Sequence, residues 1–541
     1  MTTFMKRKRL KVFNFIILLL CLIIFSFSLP SAEQVKGKLL SIPPDLDKYI
    51  FRVMKTFEVP GLAVAIIKDG QVLLAKGYGV RRLGENTPVD SRTLFGIASN
   101  SKFFTATALA MLVEEGKVSW DSPVINYLPS FQLWDPYVTR EITVRALVCH
   151  RSGLGLGAGD LLWWPPSDYN RKEIIRRMRY IKPASSFRST YAYNNLMFLV
   201  AGEVIEVASG LSWEDFIQQR ILGPLGMKNT SPRISDLPKK ENVAATHAEV
   251  EGEIRFVKPF LVDTINPAGG IISCAEDMAR WVLCQLNEGR IDGDKRLFSE
   301  RTARELGTML ISRPISPAPP ELPPLKVNFL GYGYGLSLRD YRGWKIMGHT
   351  GGLPGYVSQV TMVPDLELGI VVLTNQESTE AFNSITYFII DYYLKAPTFD
   401  WVTGFQKLRE RRLKEIQEIE KKAEAARDAA SKPSLPLEKY AGLYTDDWYG
   451  DIEITWTGEK LRLRFTRTPL LIGDMIHWQY NTFMVRWDDR ELRADAYITF
   501  NLNHEGLIEE AKMRPVSPAT DFSFDFQDLL LRPKKTAAKK N

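Results

Sequence analysis

The stretch GLAVAIIKDGQVLLAKGYG, residues 61–79, holds two apolar runs joined at Asp69-Gly70. That dipeptide suits a two-residue turn with positive φ, so the stretch reads as a tight β-hairpin. A late counterpart, YVSQVTMVPDLELGIVVLTN (356–375), turns near Pro364-Asp365. Between the two the pattern is helical. NNLMFLVAGEVIEVASG (194–210) spaces its apolar residues as a helix does and stops at Gly210. SCAEDMARWVLCQLNEG (273–289) reads as a helix opened by a capping box, Ser273 with Glu276, and closed at Gly289. Strands at both ends with helices between them constrain the fold strongly. They predict an α+β domain over residues 33–395: one antiparallel sheet, built from the two ends and covered by helices.

The pattern changes on either side of that segment. A basic start to Lys11 precedes VFNFIILLLCLIIFSFSL (12–29), so residues 1–32 read as a signal peptide or an uncleaved signal anchor. This places the body outside the cytoplasm, whether secreted, periplasmic or held at a membrane. SRPISPAPPELPPL (312–325) is a proline-rich surface excursion with no assigned role. Residues 396–432 read as a charged, solvated helical linker, with Phe405, Leu408, Ile416 and Ile419 roughly on one side. From 433 to 533, short alternating strands such as GDIEITWTGEKLRLRFTR predict a small all-β domain, barrel or sandwich, with no cluster of catalytic side chains. Residues 534–541 form a basic tail.

The net charge of +7 does not point to nucleic acid, because five lysines and arginines at the N-terminus and four lysines at the C-terminus account for it. The body between is close to neutral. Outside the leader stand Cys149, Cys274 and Cys284, an odd number without metal-site spacing, and these read as buried free thiols. The five histidines are scattered, so no metal or other cofactor is expected.

The chemistry begins at GIASNSKFFTATALAMLVEEG (96–116). Positions three apart share a helix face, so Ser99 and Lys102 can touch while Ser101 points elsewhere. A serine hydroxyl needs a base within hydrogen-bond reach. Lys102 serves only if its pKa falls from about 10.4 toward 7, which costs about 4–5 kcal/mol. Burial beside Phe103 and Phe104, with a second positive group nearby, would supply that. Alone, the pair equally describes a serine cap and a snorkelling lysine.

Two more motifs follow in order: STYAYNNLMF, with Tyr193 and Asn195, and KIMGHTGGLPGYV, with His349-Thr350-Gly351-Gly352 on a late strand. Ser-x-x-Lys, Tyr-x-Asn and His-Thr-Gly in this order resemble the serine β-lactamase and penicillin-binding-protein superfamily. The class C-like branch, which also holds esterases, D-aminopeptidases and DD-carboxypeptidases, is the nearest in pattern. GGIISCAEDMARW (269–281) supports the match, and the resemblance covers roughly residues 45–395. It implies an acylated nucleophile at Ser99 and proton transfer by Lys102 and Tyr193, with either as the base. It implies substrate contacts at Asn195, His349, Thr350 and Gly351, and an oxyanion hole from the backbone N–H groups of Ser99 and Gly352. The C-terminal domain resembles barrel modules appended to this branch, which wall a cleft, bind substrate or only stabilise.

His349 stands where many members have lysine. Unperturbed, it is mostly neutral at pH 7 and holds a carboxylate weakly, which favours esters, amides and D-amino-acid peptides over anionic β-lactams. His150 and Ser152, in VCHRSGLG, read as structural parts of a turn leading to the site. No Gly-x-Ser-x-Gly elbow is present, which disfavours an α/β-hydrolase. The expected function is an exported serine hydrolase acting on a small-molecule or peptide substrate. The alternative is a non-catalytic cell-wall-binding or scaffold protein that retains the fold.

Overall fold

The computed structural model describes residues 41–534. The expected leader and all of the basic tail except Lys534 lie outside them. The early hairpin pairs Gly61–Lys68 with Gln71–Gly79, and its turn sets Asp69 at φ 49° and Gly70 at φ 73°. The late one pairs Tyr356–Val363 with Leu368–Thr374 around a 3₁₀ turn at Pro364–Leu366. Leu62 lies opposite Thr374, so the two ends of the domain meet inside one sheet. Its eight antiparallel strands run in the order Gln71–Gly79, Gly61–Lys68, Leu368–Thr374, Tyr356–Val363, Trp344–Leu353, Ser337–Tyr341, Leu330–Tyr332, Ile311–Ser312.

Both faces of this sheet are covered, which is why the central strands are apolar runs rather than alternating ones. On one face Val282 of the Ala275–Leu286 helix closes over Gly369, where a Cβ would lie 2.3 Å from its Cγ1. On the other, Thr386 of the Thr379–Leu394 helix donates to Gln359 at 2.8 Å, and Phe388 stacks on Tyr49 of the Leu46–Phe57 helix at 3.9 Å. The Ser101–Glu114 helix is buried on every side from Ser101 to Leu112, as a helix without a polar stripe must be.

The C-terminal strands close into an eight-stranded barrel, in which Thr445 of the first strand opposes Arg532 of the last. The barrel is docked on the sheet-and-helix domain. Tyr169 OH donates to the Tyr449 carbonyl at 2.5 Å, Arg177 to the Trp448 carbonyl at 2.9 Å, and Arg493 pairs with Glu377 at 2.7 Å. The connection between the last two barrel strands, residues 516–529, runs back toward the helical layer.

Three local expectations change. The capping box does not form: Ser273 lies in a short strand, its hydroxyl paired with Thr230 at 2.7 Å, and Cys274 is the uncapped N-cap residue. The proline-rich excursion is anchored, with Leu322 fully buried and Glu321 paired with Arg411 at 2.7 Å. The helix expected to be solvated spans Trp401–Ala425, and its first turns bury Trp401, Val402, Phe405 and Leu408; only the remainder is exposed. Cys149, Cys274 and Cys284 are buried free thiols.

Candidate active site

Ser99 sits in a 3₁₀ turn, Ala98–Asn100, that runs into the Ser101–Glu114 helix. Ala98 has φ 50°, a left-handed conformation that residues with side chains seldom adopt. The turn is clamped from the sheet. Asn100 donates to Ser358 Oγ at 2.8 Å, and that hydroxyl donates to the Ile97 carbonyl at 2.7 Å. The strand Trp344–Leu353 presses against it, and a Cβ on Gly351 would lie 2.2 Å from the Ile97 carbonyl oxygen. Gly351, expected at the substrate, has its Cβ direction toward the turn that carries Ser99, and its lack of a side chain lets the strand approach. Ser101 does point elsewhere, accepting from the Ile271 N–H at 3.1 Å.

Lys102 is fully buried. Its Nζ lies 3.0 Å from Ser99 Oγ and donates to Asn195 Oδ1 and the Ala268 carbonyl, both at 2.8 Å. It sits over the rings of Tyr193 and Phe198, at 4.8 and 5.4 Å. Burial pushes its pKa down to about 7, and the charge of Asp160 partly opposes the fall. Desolvation alone thus does what was expected to need a second cation. The chemistry of the amine follows from its partners. A neutral amine has two N–H bonds. Asn195 and Ala268 claim both, which leaves the lone pair toward Ser99. The motif at 269–281 gains a physical reason as well: the chain just before it supplies the Ala268 carbonyl, and Trp281 stacks on Phe104 at 3.9 Å.

Tyr193 OH lies 2.8 Å from Ser99 Oγ on the other side. Burial raises its pKa well above 10, so the phenol is protonated. Its ring is held by His150 at 4.3 Å and Phe522 at 5.9 Å. His150 accepts from the Asn194 N–H at 3.1 Å, and burial drives its pKa well down. Ser152 accepts from the Leu154 N–H. Both serve the turn, as their sequence context suggests. His349 is buried with Nε2 2.9 Å from Tyr332 OH. Burial, reinforced by Lys102, lowers its pKa to about 3. It is neutral throughout the physiological range and offers no charge to a substrate.

The cleft around Ser99 has a volume of about 850 Å³. Asn195, His349, Thr350 and Gly352 line it beside Ser99 and Tyr193. Thr350 and Gly352 are exposed, and a Cβ on Gly352 would meet nothing within 4 Å. Several lining residues had no signal in the sequence. Arg313, from the proline-rich excursion, lies over the Tyr191 ring at 4.6 Å and forms no ion pair among the described residues. Asp521, Phe522 and Ser523 arrive from the barrel. Asp160 is fully buried behind Asn195, whose Nδ2 donates to it at 2.8 Å.

A serine held between a depressed amine and a protonated phenol, on a helix-covered antiparallel sheet, defines a class: serine hydrolases that use lysine and tyrosine rather than a histidine triad. The beta-lactamase family profile matches residues 46–394, and the chain belongs to that family. A domain of unknown function, DUF3471, matches residues 426–533. Among relatives, the unguisins hydrolase of Aspergillus violaceofuscus is 29% identical over 78% of each chain. Penicillin-binding protein 4 of Amycolatopsis lactamdurans is 27% identical over 59% of this chain and 81% of its own. Of solved structures, the octameric penicillin-binding protein homologue from Pyrococcus abyssi superposes with a TM-score of 0.56, at 22% identity, over 90% of this chain and 99% of its own.

Proposed function

We propose that the protein is an exported hydrolase that cleaves amide or ester bonds through an acyl-enzyme on Ser99. The observation that carries this reading is the placement of Lys102 Nζ and Tyr193 OH at 3.0 and 2.8 Å from one serine oxygen. Neutral Lys102 takes the Ser99 proton as Oγ attacks the carbonyl carbon. The oxyanion forms against the backbone N–H groups of Ser99 and Gly352, where each such donor is worth about 2.7–4 kcal/mol to the transition state. The leaving amine or alcohol takes its proton through Tyr193, which recovers one from Lys102. Water then cleaves the ester with the same groups acting in reverse. Lys102, with a pKa near 7, suits the base better than Tyr193, whose phenol is too weak an acid to stand ionised.

The substrate class follows from the charges in the cleft. His349 is neutral and cannot hold a carboxylate, whereas Arg313 is a cation at the cleft wall with no ion-pair partner among the described residues. Amide-bearing peptides, including those with D-residues, are the substrate class we propose for this cleft, and a relative named as an unguisins hydrolase supports hydrolysis. Export rests on the leader pattern of residues 1–32. The test is a panel of p-nitrophenyl esters, D-alanyl anilides and nitrocefin, assayed with the wild-type protein and Ser99→Ala. Turnover of at least one substrate that vanishes in the variant supports the reading. No Ser99-dependent turnover or labelling would favour a non-catalytic scaffold instead.

A further inference from the structure

The catalytic lysine is tied to the C-terminal barrel by a continuous chain of hydrogen bonds. Asn195 Oδ1 accepts from Lys102 at 2.8 Å, and Asn195 Nδ2 donates to Asp160 Oδ2 at 2.8 Å. Ser523, on the barrel's 516–529 connection, donates to the same carboxylate oxygen at 2.9 Å. Trp163 Nε1 donates to the other oxygen at 2.9 Å. Two residues on from Ser523, Asp525 accepts from the Gly159 and Leu161 N–H groups at 2.6 and 2.9 Å, gripping the short turn that carries Asp160. Asp160, Ser523 and Asp525 are all buried.

We infer that Asp160 is a positioning residue for the nucleophile's base, and that the barrel completes the active site by holding Asp160 through Ser523 and Asp525. The inference rests on the reading of Ser99 and Lys102 above. Its logic is one of donors and acceptors. An asparagine amide can flip, and the flipped form would turn an N–H₂ toward Lys102, where an acceptor is needed. Asp160, surrounded by three donors and no acceptor, fixes the amide with its oxygen toward the lysine. Burial raises the Asp160 carboxyl to about 7, against the pull of its three donors and of Lys102, and in its ionised form its charge stabilises protonated Lys102 across that bridge. A nearby opposite charge favours the charged form of an amine. Asp160 thus partly offsets the fall in the base's pKa that burial causes.

The charged and titratable groups around this path are few. Lys102 faces Asp160 through Asn195, with His150, His349 and Tyr193 all neutral around it and Arg313 at the cleft wall. Asp160 is faced by Lys102 and by Asp525, whose own carboxyl burial raises strongly. Asp521 lies beside Ser523, accepting from its N–H at 2.8 Å.

The test follows the rate at which a fluorophosphonate probe labels Ser99 in the full-length protein, from pH 5 to 10. In Asp160→Asn the limb set by Lys102 should move to lower pH, whichever form of the lysine is active, and the plateau should fall. Ser523→Ala, a milder change that keeps the fold, should move the limb the same way by less, because Asp160 loses a donor and holds its charge less well. Ser523→Thr restores the hydroxyl and the wild-type profile. A merely structural role would lower the rate equally at every pH. That result, or an unmoved limb in both variants while wild-type Ser99 labels normally, overturns the inference. Failure of wild-type Ser99 to label at all would overturn the reading of the nucleophile, and the inference with it.

Discussion

Replacing Lys102 with methionine should abolish turnover and change stability by an amount that depends on pH. In the folded state the lysine's pKa falls from 10.5 to about 7 through burial. A base whose folded pKa is depressed opposes folding. Above pH 10.5 the amine is neutral in both states and nothing is lost. Between 10.5 and 7 the unfolded chain holds a proton that the folded one rejects, so stability falls by about 1.36 kcal/mol for each unit the pH drops. Below 7 the amine is charged in both states and the penalty is constant at about 4–5 kcal/mol. Methionine removes this penalty at similar volume. It leaves the Asn195 oxygen and the Ala268 carbonyl without their donor, at about 1–3 kcal/mol each. The net change at pH 7 therefore lies between a loss of about 2 and a gain of about 3 kcal/mol. Its pH dependence is the sharper quantity: the difference between variant and wild type should fall by about 3 kcal/mol from pH 7 to 9.5. Urea denaturation of both proteins at pH 6, 7, 8 and 9.5 measures it. A difference that stays flat across that range would mean the folded lysine keeps its ordinary proton affinity and could not act as the base.

Four further substitutions separate roles within the site. Gly351→Ala should disrupt both fold and activity, since its Cβ meets the Ile97 carbonyl oxygen at 2.2 Å, while Gly352→Ala, with open space around it, should leave the melting temperature unchanged and slow acylation. Tyr193→Phe should cut kcat by about 10²–10⁴-fold with the ring packing intact, read by steady-state kinetics and thermal melting. Arg313→Gln should raise KM about tenfold or more for substrates bearing a carboxylate, and leave neutral esters unaffected.

The parts of this molecule that were legible in its sequence are those written locally. Asp69-Gly70 between two apolar runs specifies a hairpin, and Gly210, at φ 76°, ends its helix where the spacing said it would. Motifs carrying Ser99, Lys102, Tyr193 and Asn195 could be found because each residue sits in a short recurring pattern. What escaped was written between distant segments. Ser523 reaches Asp160 across 363 residues, and neither has a neighbour that marks it. The proline-rich excursion looked roleless because neither the burial of Leu322 nor the place of Arg313 in the cleft has any periodic signature. The neutrality of His349 is a consequence of burial, which residue identity alone does not give. The capping box failed because Ser273 was taken into a strand with Phe95 opposite, and tertiary pairing outranked a local preference.

The most direct measurement traps the covalent intermediate. The full-length protein is mixed with a slowly released acyl donor, quenched in acid, and mapped by peptide mass spectrometry. The acyl group should sit on the Ser99 peptide and be absent in Ser99→Ala, and its formation rate should rise with pH through about 7, where Lys102 loses its proton. An acyl group on another residue, or undiminished turnover in Ser99→Ala, would contradict the assignment of the nucleophile on which the whole mechanism stands.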